Sequence, residues 1–263
     1  MRRYTEAVYG CLYGPSSTVA GMKHIAKSAA AALLCVPALS LPALSPSAPA
    51  LASDRPAWEH TAGELRNALL TTDDGLSGYE VRHVATGTAA RFLAGRTRQR
   101  SWAGRLVPAR CRTSATAGLL FDPAKVARFP DAPAAAVEMW GDRALGEALV
   151  SVPGDLPRAA VEGRLPRGCG AFRARHGGKT ITIRVRRLSE DVLPDIPGAT
   201  VSGFKRVTPA GVWGNTRPGE TNLIVVRSGR LVLETFTDAF GPVDAYSAEF
   251  TLKAWRQALE RLR

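Results

Sequence analysis

The last third of the chain carries its clearest patterning. From Thr180 to Leu188 apolar and polar positions alternate, with Ile181, Ile183 and Val185 on one face and Thr180, Thr182, Arg184 and Arg186 on the other. A period of two marks a strand with one buried face. Thr200 to Val207 predicts a further strand. Leu223 to Arg227 and Arg230 to Glu234 flank Ser228-Gly229, which predicts a tight antiparallel hairpin closed by those two residues. Beyond Asp244, the residues Ala248, Leu252, Trp255, Leu259 and Leu262 recur at helical spacing. A helix from Ala245 to Leu262 is therefore expected to lay that stripe on the sheet.

Upstream, Thr61 and Glu64 form a capping box ahead of Leu65, Ala68 and Leu69, so a short helix should run from Ala62 to about Leu70. Gly78 to Val84 alternates and reads as a half-buried strand with Tyr79 and Val81 inward. Ala135 to Trp140 and Glu147 to Val152 predict two strands joined around Gly141-Asp142. A helical turn is expected at Pro123 to Ala127, and a short helix from Leu156 to Leu165 that stops at Pro166 and carries the chain to Cys169. Antiparallel strands with helices at both ends predict a single α+β domain, mainly antiparallel sheet with helices packed on one face.

The N-terminal region has a different character. From Met22 the chain reads Met-Lys-His-Ile-Ala-Lys, then stays uncharged from Ser28 to Ser53 and closes on Ala48-Pro49-Ala50-Leu51-Ala52. A basic start, the apolar block Ala29 to Val36 and an Ala-x-Ala ending are the parts of an export signal. The stretch exceeds the roughly 18 residues that span a bilayer, so a retained anchor is the alternative. Pro37, Pro42, Pro46 and Pro49 would break such a helix. The expected organisation is an upstream extension at 1–21, a signal peptide at 22–52 and one domain at 53–263, with no later segment long enough to cross a membrane. Arg2-Arg3 is no twin-arginine signal, because no apolar run follows it directly.

Export changes the reading of the cysteines and the charge. Cys11 and Cys35 leave with the signal, so Cys111 and Cys169 remain, and an oxidising compartment predicts a disulfide between them. Two unrelated buried thiols are the alternative, as is a reactive Cys169 in the turn Gly168-Cys169-Gly170. Removing 52 of 263 residues leaves 211, enough for one core. Four of the 35 Lys and Arg and one of the 23 acids lie before Ser53, which leaves 31 against 22, a net charge of +9. Outside the cell such a balance favours an anionic wall polymer, acidic glycan or lipid head group over nucleic acid. Between Arg91 and Arg112 stand seven arginines, at 91, 96, 98, 100, 105, 110 and 112, and no acid. Arg96, Arg98, Arg100 and Trp102 are the anion-binding candidates, since the guanidinium fork fits phosphate or carboxylate and Trp102 adds a stacking surface. A solvated loop is the plainer reading of the same run.

No catalytic or metal-ligand pattern accompanies these features. Gly75-Leu76-Ser77-Gly78 lacks the spacing of a nucleophile elbow, and there is no His-Glu-x-x-His, Walker loop or Cys-x-x-Cys. His60, His83 and His176 are unpaired by motif, with His176 expected in the turn before Gly177-Gly178 and His83 on the polar face of its strand. Asp73-Asp74 and Glu190-Asp191 are turn acids, without the two-sided geometry of a glycosidase. No catalytic residue, metal or cofactor is therefore assigned.

Leu69 to Tyr79, the cysteine pair, the strand pair before Cys169 and the closing hairpin and helix together resemble the PknH-like extracellular sensor domain, over about Glu64 to Leu262. That family occurs outside actinobacterial membrane kinases and as free-standing exported proteins. The resemblance implies an α+β module with a central cleft that binds an extracellular ligand rather than catalysing. The kinase sensor has two disulfides whereas this chain offers one, and no kinase domain or membrane span accompanies it here. The expected function is thus an exported, non-enzymatic ligand-binding module of the cell envelope that recognises an anionic component. A secreted hydrolase whose residues converge only in space is the alternative, and an adhesive role would require a large exposed apolar patch.

Overall fold

The computed structural model describes residues 58–89, 129–154, 165, 167–176, 178–212 and 214–263. The expected turn at Pro123 to Ala127, nearly all of the helix at Leu156 to Leu165, and the arginine run lie outside them. Among the described residues, eight strands form one antiparallel sheet. They are β1 (Glu80–Thr88), β2 (Pro133–Trp140), β3 (Ala144–Ser151), β4 (Ala171–His176), β5 (Lys179–Arg187), β6 (Thr200–Thr208), β7 (Gly219–Ser228) and β8 (Leu231–Phe240). Their spatial order is β1-β2-β3-β8-β7-β6-β5-β4, so β1 and β4 are the edges. Two α-helices, α1 (Ala62–Ala68) and α2 (Asp244–Arg261), and a 3-10 turn at Glu190–Val192 complete the set. The chain is a single α+β domain with helices packed on one sheet face, as its patterning predicts.

The helix-bearing face is closed by Leu65, Ala68, Leu69 and Leu70 from α1 and its exit, and by Phe250, Ala254, Trp255 and Ala258 from α2. They meet Ala135, Val137 and Met139 of β2, Leu145 and Leu149 of β3, and Leu231 and Leu233 of β8. Complete burial of a side chain such as Leu65 contributes about 2 kcal/mol. The capping box at Thr61 forms as expected: Glu64 N–H donates to Thr61 Oγ1 and Thr61 N–H to the Glu64 carboxylate.

Four expectations need correction. Val81 is not buried: it pairs with Met139 on the helix-bearing face, but it is 39% exposed, on an edge strand whose register slips between Val81 and His83. A one-residue bulge there ends the alternation that the sequence implies. The β7–β8 loop is Gly229-Arg230 rather than Ser228-Gly229, since Ser228 still pairs with Leu231. Gly229 takes the left-handed conformation (φ +54°) at the first loop position, where glycine is uniquely tolerant. His176 is the last residue of β4, paired with Lys179, and β4 itself is a strand the sequence reading lacked.

The fourth correction concerns α2. Its inward stripe is Ser247, Phe250, Thr251, Ala254, Trp255 and Ala258, whereas Leu259 is 37% exposed and Leu252 half-buried. The two hydroxyl residues can be buried because each donates to its own helix backbone, Ser247 Oγ to Val243 O (2.6 Å) and Thr251 Oγ1 to Ser247 O (2.7 Å). With that proton spent, Thr251 Oγ1 accepts from Thr235 Oγ1 of β8 at 2.6 Å. Alanines at 254 and 258 let the helix approach closely.

Polar links fix both ends of α2. At its start, the buried Lys205 Nζ contacts Asp244 Oδ1 (2.6 Å) and Glu220 Oε2 (2.9 Å), and Asn222 Nδ2 also donates to Asp244 (2.8 Å). Burial alone would raise the Asp244 pKa, but these donors hold it below the ordinary carboxylate value. At its end, Arg261 donates to Leu69 O (2.6 Å) and Asp74 Oδ1 (2.7 Å), tying α2 to the exit of α1. Beneath that junction Glu147 of β3 is wholly buried, and its Oε2 accepts from Leu70 N–H at 2.8 Å.

Burial pushes the Glu147 carboxyl up to about 8 from an ordinary 4.5, against the opposing pull of the Leu70 hydrogen bond and of Arg261. The folded chain therefore keeps a proton here that the unfolded chain releases above pH 4.5. Stability from this site is complete below about pH 4.5 and is lost as pH rises through about 8. Unfolding by denaturant at several pH values should show a loss on the order of 4 kcal/mol between those limits, absent in Glu147→Gln. Equal pH profiles for the two proteins would refute the assignment.

Candidate functional site

The sheet face opposite the helices carries the candidate site, and the strand register assembles it. One row crosses seven strands: Val185 (β5), Arg206 (β6), Thr221 (β7), Asp238 (β8), Ala144 (β3), Trp140 (β2) and Glu80 (β1) are successive partners. The next row inward holds Phe204, Leu223, Phe236, Gly146, Glu138 and His83. The rows beyond hold the buried Val225 and Val232 together with the buried polar Glu234 and Arg227, while Val185 is buried in the outer row and Phe204 and Leu223 in the next. Toward the end of the sheet burial relaxes: Trp140, Phe236, Asp238 and Phe240 are half-buried and pack around Ala144.

At the centre of the outer row, Arg206 Nη2 donates to Thr221 Oγ1 at 2.9 Å and lies 4.0 Å from Asp238 Oδ2. The Thr221 hydroxyl thus accepts from the arginine while donating to the aspartate. Burial drives the Asp238 carboxyl above its ordinary value, although the Arg206 charge and the Thr221 hydrogen bond oppose that rise. Arg206 is only 14% exposed along its side chain, and its buried Nε meets no acceptor among the described residues. A guanidinium held by one hydroxyl and a distant carboxylate keeps donors for a carboxylate or phosphate oxygen.

Aromatic surface flanks this polar centre. Arg82 lies 5.7 Å from the Trp140 ring centroid, at the β1 edge. Phe236 lies flat over Gly146, where an added Cβ would fall 1.8 Å from its ring. From Arg206 to Trp140 the row spans four strand intervals, roughly 19 Å. At the sheet end, Tyr79 Oη donates to Asp142 Oδ1 (2.6 Å) and accepts from Tyr246 Oη (3.1 Å), closing the β2–β3 turn against α2.

The sequence candidates fall elsewhere. Arg96, Arg98, Arg100, Trp102 and Cys111 lie outside the described residues. Cys169 is fully buried in the apolar cluster that includes Phe172 and Val232 and is disulfide-bonded, so it offers no free thiol. The three histidines stand apart: His60 precedes α1 and gives its N–H to Ser151 Oγ, His83 is exposed on β1, and His176 ends β4. Among the described residues, no three His, Cys, Asp or Glu side chains are placed to share a metal, and no helix is long and apolar enough to cross a membrane. Arg206, Thr221 and Asp238 were missed because they are far apart in sequence and join only through pairing of three strands. The signal available was weak: polar residues at the inward phase of strands that are otherwise apolar.

These features define the PknH-like extracellular fold. The solved crystal structure of the extracellular domain of PknH from Mycobacterium tuberculosis matches this chain with a TM-score of 0.50 at 10% identity, covering 78% of this chain and 98% of that one. The likeness is one of fold. No family model matches the chain, and no curated protein does.

Enlarging Gly146 should disturb the aromatic surface selectively. Gly146→Ala is expected to destabilise by about 1–3 kcal/mol through the clash with Phe236. Adding Phe236→Ala should recover part of that loss, a coupling readable in a double-mutant cycle of thermal unfolding. Strict additivity would contradict the stacked geometry.

Proposed function

We propose that the chain is an exported, sensor-like binding module without catalytic activity, which takes an anionic component of the cell envelope on the sheet face opposite its helices. The observation that carries this reading is the Arg206–Thr221–Asp238 row beside the half-buried Trp140, Phe236 and Phe240. A guanidinium with donors to spare supplies charge recognition, and the rings supply flat contact area. Few polar groups converging on an apolar wall is the usual composition of a ligand site. The PknH likeness supports the sensor-like reading through the fold.

The remaining elements of the proposal concern processing. Cleavage after Ala52 releases a domain beginning at Ser53, and Cys169 takes Cys111 as its disulfide partner. Signalling then passes from the module to a separate protein. N-terminal sequencing of the protein recovered from culture medium should read from near Ser53; an intact Met1 would contradict export by this signal.

Ligand binding is tested by calorimetry of the purified protein against fractionated wall extract and anionic lipid vesicles, at low and high salt. Arg206→Gln is expected to weaken binding by at least tenfold, the scale of a hydrogen bond to a charged group, and Trp140→Ala by less. Absence of binding to either material, or unchanged affinity in Arg206→Gln, would overturn the reading.

A further inference from the structure

A second surface lies on the helix-bearing side of the sheet. The helices pack over the β1, β2, β3, β8 and β7 portion, whereas Arg173 of β4 and Thr180, Thr182, Arg184 and Arg186 of β5 are exposed on that same side. Neither β4 (Ala171–His176) nor β5 (Lys179–Arg187) contains a carboxylate. The hairpin cannot turn over, because Phe172, Ile183 and Val185 are buried on its other face. Its cations are therefore held outward by the core.

Register sets their spacing. Arg173 pairs with Thr182, which makes it the diagonal neighbour of Arg184, and Arg186 follows two residues along β5. Each step is about 7 Å, so three guanidiniums form a staircase with Thr182 and Thr180 hydroxyls between and beside them. Along the inner border Arg186 stands in register with Lys205, which already contacts Glu220 and Asp244. The nearest acids are thus committed, although Arg186 still feels the Asp244 charge. None of the ion pairs among the described residues includes Arg173, Arg184 or Arg186.

We propose that this hairpin face is a docking surface for a linear phosphate polyanion. Evenly stepped guanidiniums suit repeated phosphates, each taken by a forked donor pair with threonine hydroxyls adding neutral donors. A lipid surface fits less well. Apart from Ala171, no apolar residue shares this face, so nothing would enter the hydrocarbon and attraction would rest on charge alone. The proposal goes beyond the ligand site around Arg206 and stands whether or not that site is occupied.

The test is fluorescence-detected binding of medium-chain inorganic polyphosphate to the purified protein across a salt series. Arg173→Gln/Arg184→Gln/Arg186→Gln should weaken binding at least tenfold and lower the slope of log affinity against log salt by about 2–3, one for each lost phosphate contact. Arg184→Gln alone should cost about threefold, which keeps the test open should the triple variant fold poorly. The equally neutralising Arg66→Gln/Arg256→Gln/Arg263→Gln should leave binding within twofold. Failure to bind polyphosphate, an equal loss in the Arg66 triple variant, or binding only to phosphatidylglycerol vesicles would overturn the proposal.

Discussion

Side chains alternate across a strand, and in a sheet paired in register from β2 through to β4 the face chosen at one position decides the face at every other. That constraint puts Met139, Leu145 and Leu233 under the helices and Trp140, Phe236 and Asp238 on the opposite side. It also turns the cations of β4 and β5 outward, because Ile183 and Val185 must be buried. A slip of one residue in β6 would exchange Arg206 for Lys205, removing the polar row and the anchor of α2 together. The two proposed binding surfaces are consequences of the same pairing, on opposite faces of one sheet.

Docking of the helices to this sheet relies on polar groups as well as apolar area. Lys205 neutralises the start of α2, Thr235 and Thr251 meet at its middle, and Arg261 with Glu147 holds the point where the chain leaves α1. Removing one partner of a buried set leaves the other desolvated and unpaired, a larger loss than the net value of the interaction. Such groups specify where the helix sits. The half-exposed Leu252 and Leu259 show that apolar periodicity alone would have placed it one step around its axis.

What the sequence made legible follows from how local each signal is. β5, the β7–β8 hairpin, the β2–β3 pair and the capped α1 are specified by neighbours within a few residues, and all form, the hairpin with its loop one residue further on than patterning puts it. β1 differs because a bulge at an edge breaks the alternation, and no local residue announces it. β4 escaped because Ala171 to His176 mixes arginine, alanine and histidine with one aromatic, although the Gly177-Gly178 doublet after it was a usable turn signal. The Arg206–Thr221–Asp238 row was beyond reach, since it exists only once β6, β7 and β8 are aligned. The arginines of β5 were visible as a polar face, but their joining with Arg173 awaited the missing strand.

The functional reading therefore rests on the row itself more than on overall charge. The most direct test follows the tryptophan indole resonances in a nitrogen-15 spectrum while wall extract is titrated into the protein. Trp140 stands in the row, whereas Trp255 lies buried under the sheet on the helix side and Trp58 packs against the apolar cluster that includes Phe172 and Val232. The account predicts a saturable shift of the Trp140 resonance that disappears in Arg206→Gln, with Trp255 unmoved. A shift confined to Trp255 or Trp58, or none at Trp140 when binding is independently detected, would contradict it.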